Sequence, residues 1–324
     1  MILLAESNVN AMCMINSVLG PLDTKDLGFT LMHEHVICQG FVAQNYPELF
    51  GDSFMDHIIN GVIKAKKGGV DTIIDATTFD LGRDVSKLAE IARQTNVNII
   101  ACTGWWMNVP EYIAGNSPDL FADLFVREIQ QGIAGTGIKA GILKSAADFG
   151  GVTATGEIML RAVARAHRRT LVPIMLHSYA PEQVAKRQLA ILKEEGVDLK
   201  RVAVDHVNDT TDFEYLNWLL KQGCYLGMDR YPGLNLSSHA RTQTLKQLID
   251  AGWIDRLLPS HDLCLVTPLT FYPPEVKESI DKGNPYGYLY IKEVVFRQLE
   301  DMGVSKDVLN TLCVNGPRKF FKGE

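Results

Sequence analysis

The chain has 324 residues, 46% of them hydrophobic, and a formal net charge of −6, which suits a globular enzyme with a sizeable core. No basic run is longer than His167-Arg168-Arg169 and no apolar run approaches a bilayer span, so neither nucleic acid nor a membrane is expected as a partner. Cys13, Cys38, Cys102, Cys224, Cys264 and Cys313 form no Cys-x-x-Cys pair and no tight cluster; with no secretory signal at the start, reduced thiols and a cytoplasmic setting are expected.

Taken in order, residues 1–16 read as a flexible N-terminal segment and residues 17–324 as one domain. Residues 17–23, with Gly20-Pro21 at the turn, read as an entry hairpin. Residues 29–36, bounded by Gly28 and Gly40, read as a short buried strand. Side chains alternate along a strand, so His33 and His35 face one way and Glu34 the other. From there one pattern repeats: a short apolar strand ending in polar residues, then an amphipathic helix. Further strands are expected at 72–77, 98–104, 139–144, 172–177, 201–206, 224–229 and 255–262. Helices are expected at 53–67, 84–95, 119–131, 156–169, 181–195, 212–221 and 238–251, with a closing pair at 287–301 and 305–312. The near-continuous apolar strands suit a parallel sheet buried on both faces. Eight such units imply a closed (β/α)8 TIM barrel. A doubly wound sheet would open with a Gly-rich phosphate loop, whereas the first strand here runs into His-x-His.

In such a barrel the active site lies at the C-terminal ends of the strands. The expected strands end in His33 and His35, Lys144, His177, His206 and Asp262. A single buried histidine is commonly structural, but five strands delivering nitrogen or oxygen ligands to one rim suit two divalent ions. Neutral imidazoles fit zinc and its first-row neighbours cobalt, manganese and iron, and Asp262 adds a hard anionic oxygen. Lys144 does not fit as an ammonium beside two dications. It is neutral, outside the metal shell, or chemically altered; carboxylation by carbon dioxide would make it an anion able to bridge two metals. His57 and His167 read as surface or helix-end residues, His239 as a helix-opening residue, and His261 as facing away from the barrel axis.

The chain resembles the phosphotriesterase family of the amidohydrolase superfamily over residues 20–321. The resemblance rests on Met32-His33-Glu34-His35, Gly104-Trp105-Trp106, Lys144 followed by Ala146-Ala147-Asp148, Leu176-His177-Ser178, Asp205-His206, Asp229-Arg230-Tyr231-Pro232 and Ser260-His261-Asp262. It implies that His33, His35 and Asp262 hold the more buried metal and His177 and His206 the more exposed one, with carboxylated Lys144 and a hydroxide between them. It also implies a homodimer. Asp229-Arg230-Tyr231 and the short segment before Asp262 resemble the phosphotriesterase-like lactonases, whereas Trp106 stands where the phosphotriesterases carry tryptophan. The implied activity is hydrolysis of a small lactone, ester or phosphotriester by attack of the bridging hydroxide on the carbonyl or phosphoryl centre. Asp262 would move the proton, Arg230 and Trp106 would line the leaving side, and Tyr231, Leu234, Leu263, Leu265 and Phe271 would form an apolar wall. A phosphotriesterase or carboxylesterase proper, and a non-catalytic metal-binding barrel, are the alternatives.

Overall fold

The structure, a computed structural model, describes residues 14–38, 54–107, 109–233, 235–265 and 282–324. Gly40, Leu234, Phe271 and most of the long segment after Leu265 therefore lie outside the described residues. The chain opens with an antiparallel hairpin of β1 (Met14–Ser17) and β2 (Gly20–Asp23). It begins three residues earlier than the sequence pattern indicates. Asn16 ties it to the barrel by donating to the carbonyls of Ile129 and Ala140.

Eight parallel strands follow in sequential order: β3 (Thr30–Glu34), β4 (Thr72–Asp75), β5 (Asn98–Gly104), β6 (Ile142–Ala146), β7 (Ile174–His177), β8 (Val202–Val204), β9 (Tyr225–Met228) and β10 (Leu257–Pro259). The seam between first and last is closed just beyond the strand ends. Asp262 N donates to His33 O at 3.1 Å, His35 N to Leu263 O at 3.0 Å, and His35 and Cys264 form a parallel bridge. The expected (β/α)8 barrel is the fold observed; β5 has the expected bounds, and the other strands are one to five residues shorter than the apolar runs that mark them.

The helices begin where local chemistry dictates. In α3 (Pro118–Gln130), Ser117 caps the first turn by accepting from Asp119 N, and proline follows at the first position, where its missing N–H costs nothing. In α4 (Ala154–Thr170), Thr153 accepts from Gly156 N, and the last turn carries His167, Arg168 and Arg169 against the negative end of the helix dipole. The other outer helices are α1 (Phe54–Lys67), α2 (Val85–Thr95), α5 (Ala185–Glu194), α6 (Phe213–Lys221) and α7 (Ser238–Asp250).

Three expectations are corrected. The helix expected over 181–195 is a short 3-10 turn, Ala180–Glu182, followed by α5, because Gln183 takes a left-handed backbone that breaks the ladder. The closing pair is three helices, α8 (Phe296–Asp301), α9 (Lys306–Asn310) and α10 (Gly316–Lys322), with π turns at Ile291–Val295 and Thr311–Asn315. His167 is not on the surface: it is buried, and its Nδ1 bonds Val172 O at 2.8 Å, tying the end of α4 to the approach to β7.

Two apolar layers result. The larger fills the space between strands and helices. The smaller lies inside the barrel: Met32, Ile74, Ile100, Ile142, Met175, Ala203, Tyr225 and Leu258, joined by Phe320 and Phe321 of α10. Each fully buried aliphatic or aromatic side chain there contributes about 1.5–3 kcal/mol. Met32 belongs to this inner layer although strict alternation would put it on the face of Glu34. The pairing of β3 with β4 shifts register between Leu31 and Glu34, so consecutive Met32 and His33 both point inward.

Candidate metal centre

The strand ends bring the expected ligands together. His33, His35 and Asp262 place one ligand atom each within 4.8 Å of the others, and so do His33, His206 and Asp229. His33 Nε2 lies 3.4 Å and His35 Nε2 3.2 Å from Asp262 Oδ1. On the other side, His206 Nε2 lies 2.8 Å from His177 Nδ1. Beside His33 stands Lys144, 1% exposed, its Nζ 3.1 Å from His33 Nε2 and 3.0 Å from Asp205 Oδ2.

Local backbone geometry aims these side chains. His206 and Asp262 both adopt left-handed backbone, at φ 62° and 55°, which non-glycine residues rarely hold unless the surroundings enforce it. His206 is held by Asp229, whose Oδ1 accepts from His206 N at 2.8 Å and lies 3.0 Å from Nδ1. Asp262 is held through the seam. Glu34, facing away from the ligands as alternation requires, accepts from Ser260 Oγ and from the backbone of His261 and Leu263. His261 pairs with Glu34 at 2.6 Å and so faces away from the ligands. Gly104 has φ 132°, and a Cβ there would collide with the Lys144 carbonyl, so only glycine lets the chain cross β6 closely enough for Trp106 to reach the rim. Trp106 Nε1 then lies 3.4 Å from His177 Nδ1.

The donor set is strongly electronegative and buried. Asp205 and Asp229 lie 3.1 and 2.9 Å from His33 Nδ1, and together they pull the His33 pKa up to about 10, although burial and Lys144 both oppose the proton. Burial, Arg230 and His177 hold His206 well below its ordinary value, and burial likewise lowers His177. Burial would raise Asp262, but His206, His35, His33 and Arg230 together hold it well below the usual carboxylate range. Buried acids that draw positive charge inward, beside the His177 and His206 imidazoles that burial keeps from taking up a proton, are what a cation site requires, so the residues present fit divalent metals.

Arg230 is at the rim, donating from Nε to Asp262 Oδ2 at 3.2 Å. Leu263 is half-buried against the outer core, and Tyr231 is buried in that core at 1% exposure. His57 and His239 are exposed on helices. Asp148, which accepts from His177 Nε2 at 2.9 Å, stands in the sequence only as part of a motif, as do Asp205 and Asp229, and the motifs give none of the three a role; Asp209 is in no motif. The signal was present in part: an aspartate directly precedes His206 and Arg230 at two strand ends.

The family model described as the phosphotriesterase family matches residues 13–321. The chain is 41% identical to a phosphotriesterase homology protein of Mycobacterium tuberculosis, over 95% of this chain and 97% of that one. It is 36% identical to an aryldialkylphosphatase of Saccharolobus solfataricus, over 93% and 96%. It is also 23% identical to an N-acetyltaurine hydrolase of Danio rerio, over 94% and 97%.

Proposed function

This chain belongs to the phosphotriesterase family, whose members are binuclear metal hydrolases, and from that premise we propose that it is a lactonase with a secondary activity on organophosphate triesters. The observation that carries the reading is the convergence of His33, His35 and Asp262, with Lys144 against His33, His206 grouped with His33, and His177 against His206. Two divalent ions, zinc foremost, would be held by these residues and would supply an acidified water and a Lewis acid for the substrate oxygen.

The chain's own residues do the rest. Lys144 is proposed to be carboxylated by carbon dioxide, because a buried ammonium would oppose dications. Asp262, held ionised, accepts the proton of the attacking water and returns it toward solvent or the leaving group. Asp229 and Asp148 orient His206 and His177, fixing which ring nitrogen faces the centre. Arg230 and Trp106 line the leaving side and Leu263 the acyl side, while Tyr231, fully buried, supports the loop from beneath. A cytoplasmic homodimer belongs to the same proposal and rests on the family resemblance.

Lactone preference rests on the Asp229-Arg230-Tyr231 segment. Trp106 and the aryldialkylphosphatase relative favour the second reading, a phosphotriesterase proper. The test is kcat/KM on γ- and δ-lactones of rising chain length against an aryl acetate and an aryl dialkyl phosphate. Lactones should lead; the phosphate leading across the series would install the second reading.

A further inference from the structure

The side chain with the largest volume among those almost wholly buried is a cation outside the ligand set. Arg241, on α7, is 1% exposed. Its Nη2 pairs with Asp209 Oδ1 at 2.8 Å, its Nε donates to Leu236 O at 3.2 Å, and its Nη1 donates to Asn208 O. The neighbouring backbone is shaped around it. Gly233 has φ 83°, and a Cβ there would collide with the Arg241 guanidinium.

Burying a guanidinium costs several kcal/mol of desolvation, and an apolar residue of similar volume commonly serves stability as well. The pair is better explained by what it holds. Asp209 Oδ2 pairs with Arg230 Nη1 at 2.5 Å, and Asn208 Oδ1 accepts from Arg230 N at 3.1 Å. Arg230 in turn meets Asp262. Charges alternate along a single file from the interior to the rim: Arg241, Asp209, Arg230, Asp262. An unrestrained arginine stem has rotamer entropy to lose on ordering, so a rim guanidinium held from behind costs a substrate less to engage.

We propose that Arg241 is a positioning residue that fixes Arg230 through Asp209, and thereby sets how the rim meets the leaving side of the substrate. This rests on the hydrolase reading for its kinetic consequence but not for its structural one. Zinc-reconstituted full-length protein would be compared as wild type, Arg241→Lys, Arg230→Met and the double variant, on the best substrate of the panel, together with the Nε–H resonance of Arg230 by NMR. Lysine cannot reproduce the fork that reaches Asp209, Asn208 and Leu236 together.

Arg241→Lys should shift the Arg230 Nε–H resonance or broaden it by exchange, and should lower kcat/KM by about tenfold. In the Arg230→Met background the same change should alter kcat/KM by less than about twofold, because coupled residues are not additive. An unmoved resonance, or losses that multiply, would overturn the proposal. If no substrate in the panel is turned over, the hydrolase reading falls while the resonance still decides this one. If Arg241→Lys does not fold, Asp209→Asn breaks the same file and takes the same two outcomes.

Discussion

Two ends of one barrel can be compared along the same strands. Ile142 and Lys144 of β6 both point inward, as do Met175 and His177 of β7; the first of each pair joins the apolar inner layer and the second the polar cluster at the mouth. The inner layer is closed from below by Phe320 and Phe321 and gains free energy from every atom it buries. The mouth does the reverse. It collects Asp205, Asp229, Lys144 and four imidazoles where water is scarce, with Asp262 half-buried beside them, and such groups repay their desolvation only when charge is balanced. A spacing of two residues therefore separates the part of the barrel that holds the fold from the part that carries the chemistry.

The comparison breaks most visibly at the mouth. Lys144→Ala should lower kcat/KM by about 1,000-fold or more and reduce bound metal together with it, and short-chain carboxylic acids should restore part of both. Full metal and activity without the lysine would remove it from the centre. At the other end, Phe320→Ala should cost about 3–5 kcal/mol of stability, read by denaturant unfolding, while metal content and kcat/KM below the transition stay within about threefold. A parallel loss of activity would show that the two ends are not separable.

Finer changes sharpen the contrast. Trp106→Tyr, on the rim, should shift the lactone-to-phosphate ratio of kcat/KM by about tenfold toward lactones, a modest pocket effect; an unchanged ratio would remove Trp106 from the specificity surface. The smallest effect lies in the outer layer, at His167. Burial lowers its pKa below 6.5 in the folded state, with the bond to Val172 opposing. The unfolded chain then binds more protons, so this contribution is complete above pH 6.5 and is lost as pH falls below it, by at most about 1.4 kcal/mol per pH unit. Unfolding titrations of wild type and His167→Gln should diverge between neutral pH and about pH 5, with the variant the flatter; superimposable slopes would contradict the assignment.

Much of the mouth was legible because period-two alternation and strand ends are properties of sequence. His33 and His35 on one face, Glu34 on the other, and Lys144, His177, His206 and Asp262 at strand ends follow from counting residues. What was not legible depended on departures from the period or on distant partners. The register shift that turns Met32 inward leaves no mark in the apolar pattern. His167 reads as one more basic residue at a helix end until Val172 is seen to receive it. Asp209 and Arg241 lie 32 residues apart, and neither stands at a strand end, so the file behind Arg230 needed the fold to be seen. Tyr231 reads as a pocket aromatic because it follows Arg230, yet its ring lies within the core.

On the proposed function the mouth is a cation site built for a pair of metals. Elemental analysis of full-length protein reconstituted with zinc and bicarbonate, then freed of loosely held ions, tests it most directly. Two zinc ions per chain are expected, falling when either His33 and His35 or His177 and His206 are replaced. One ion or fewer in the wild-type protein under those conditions would contradict it.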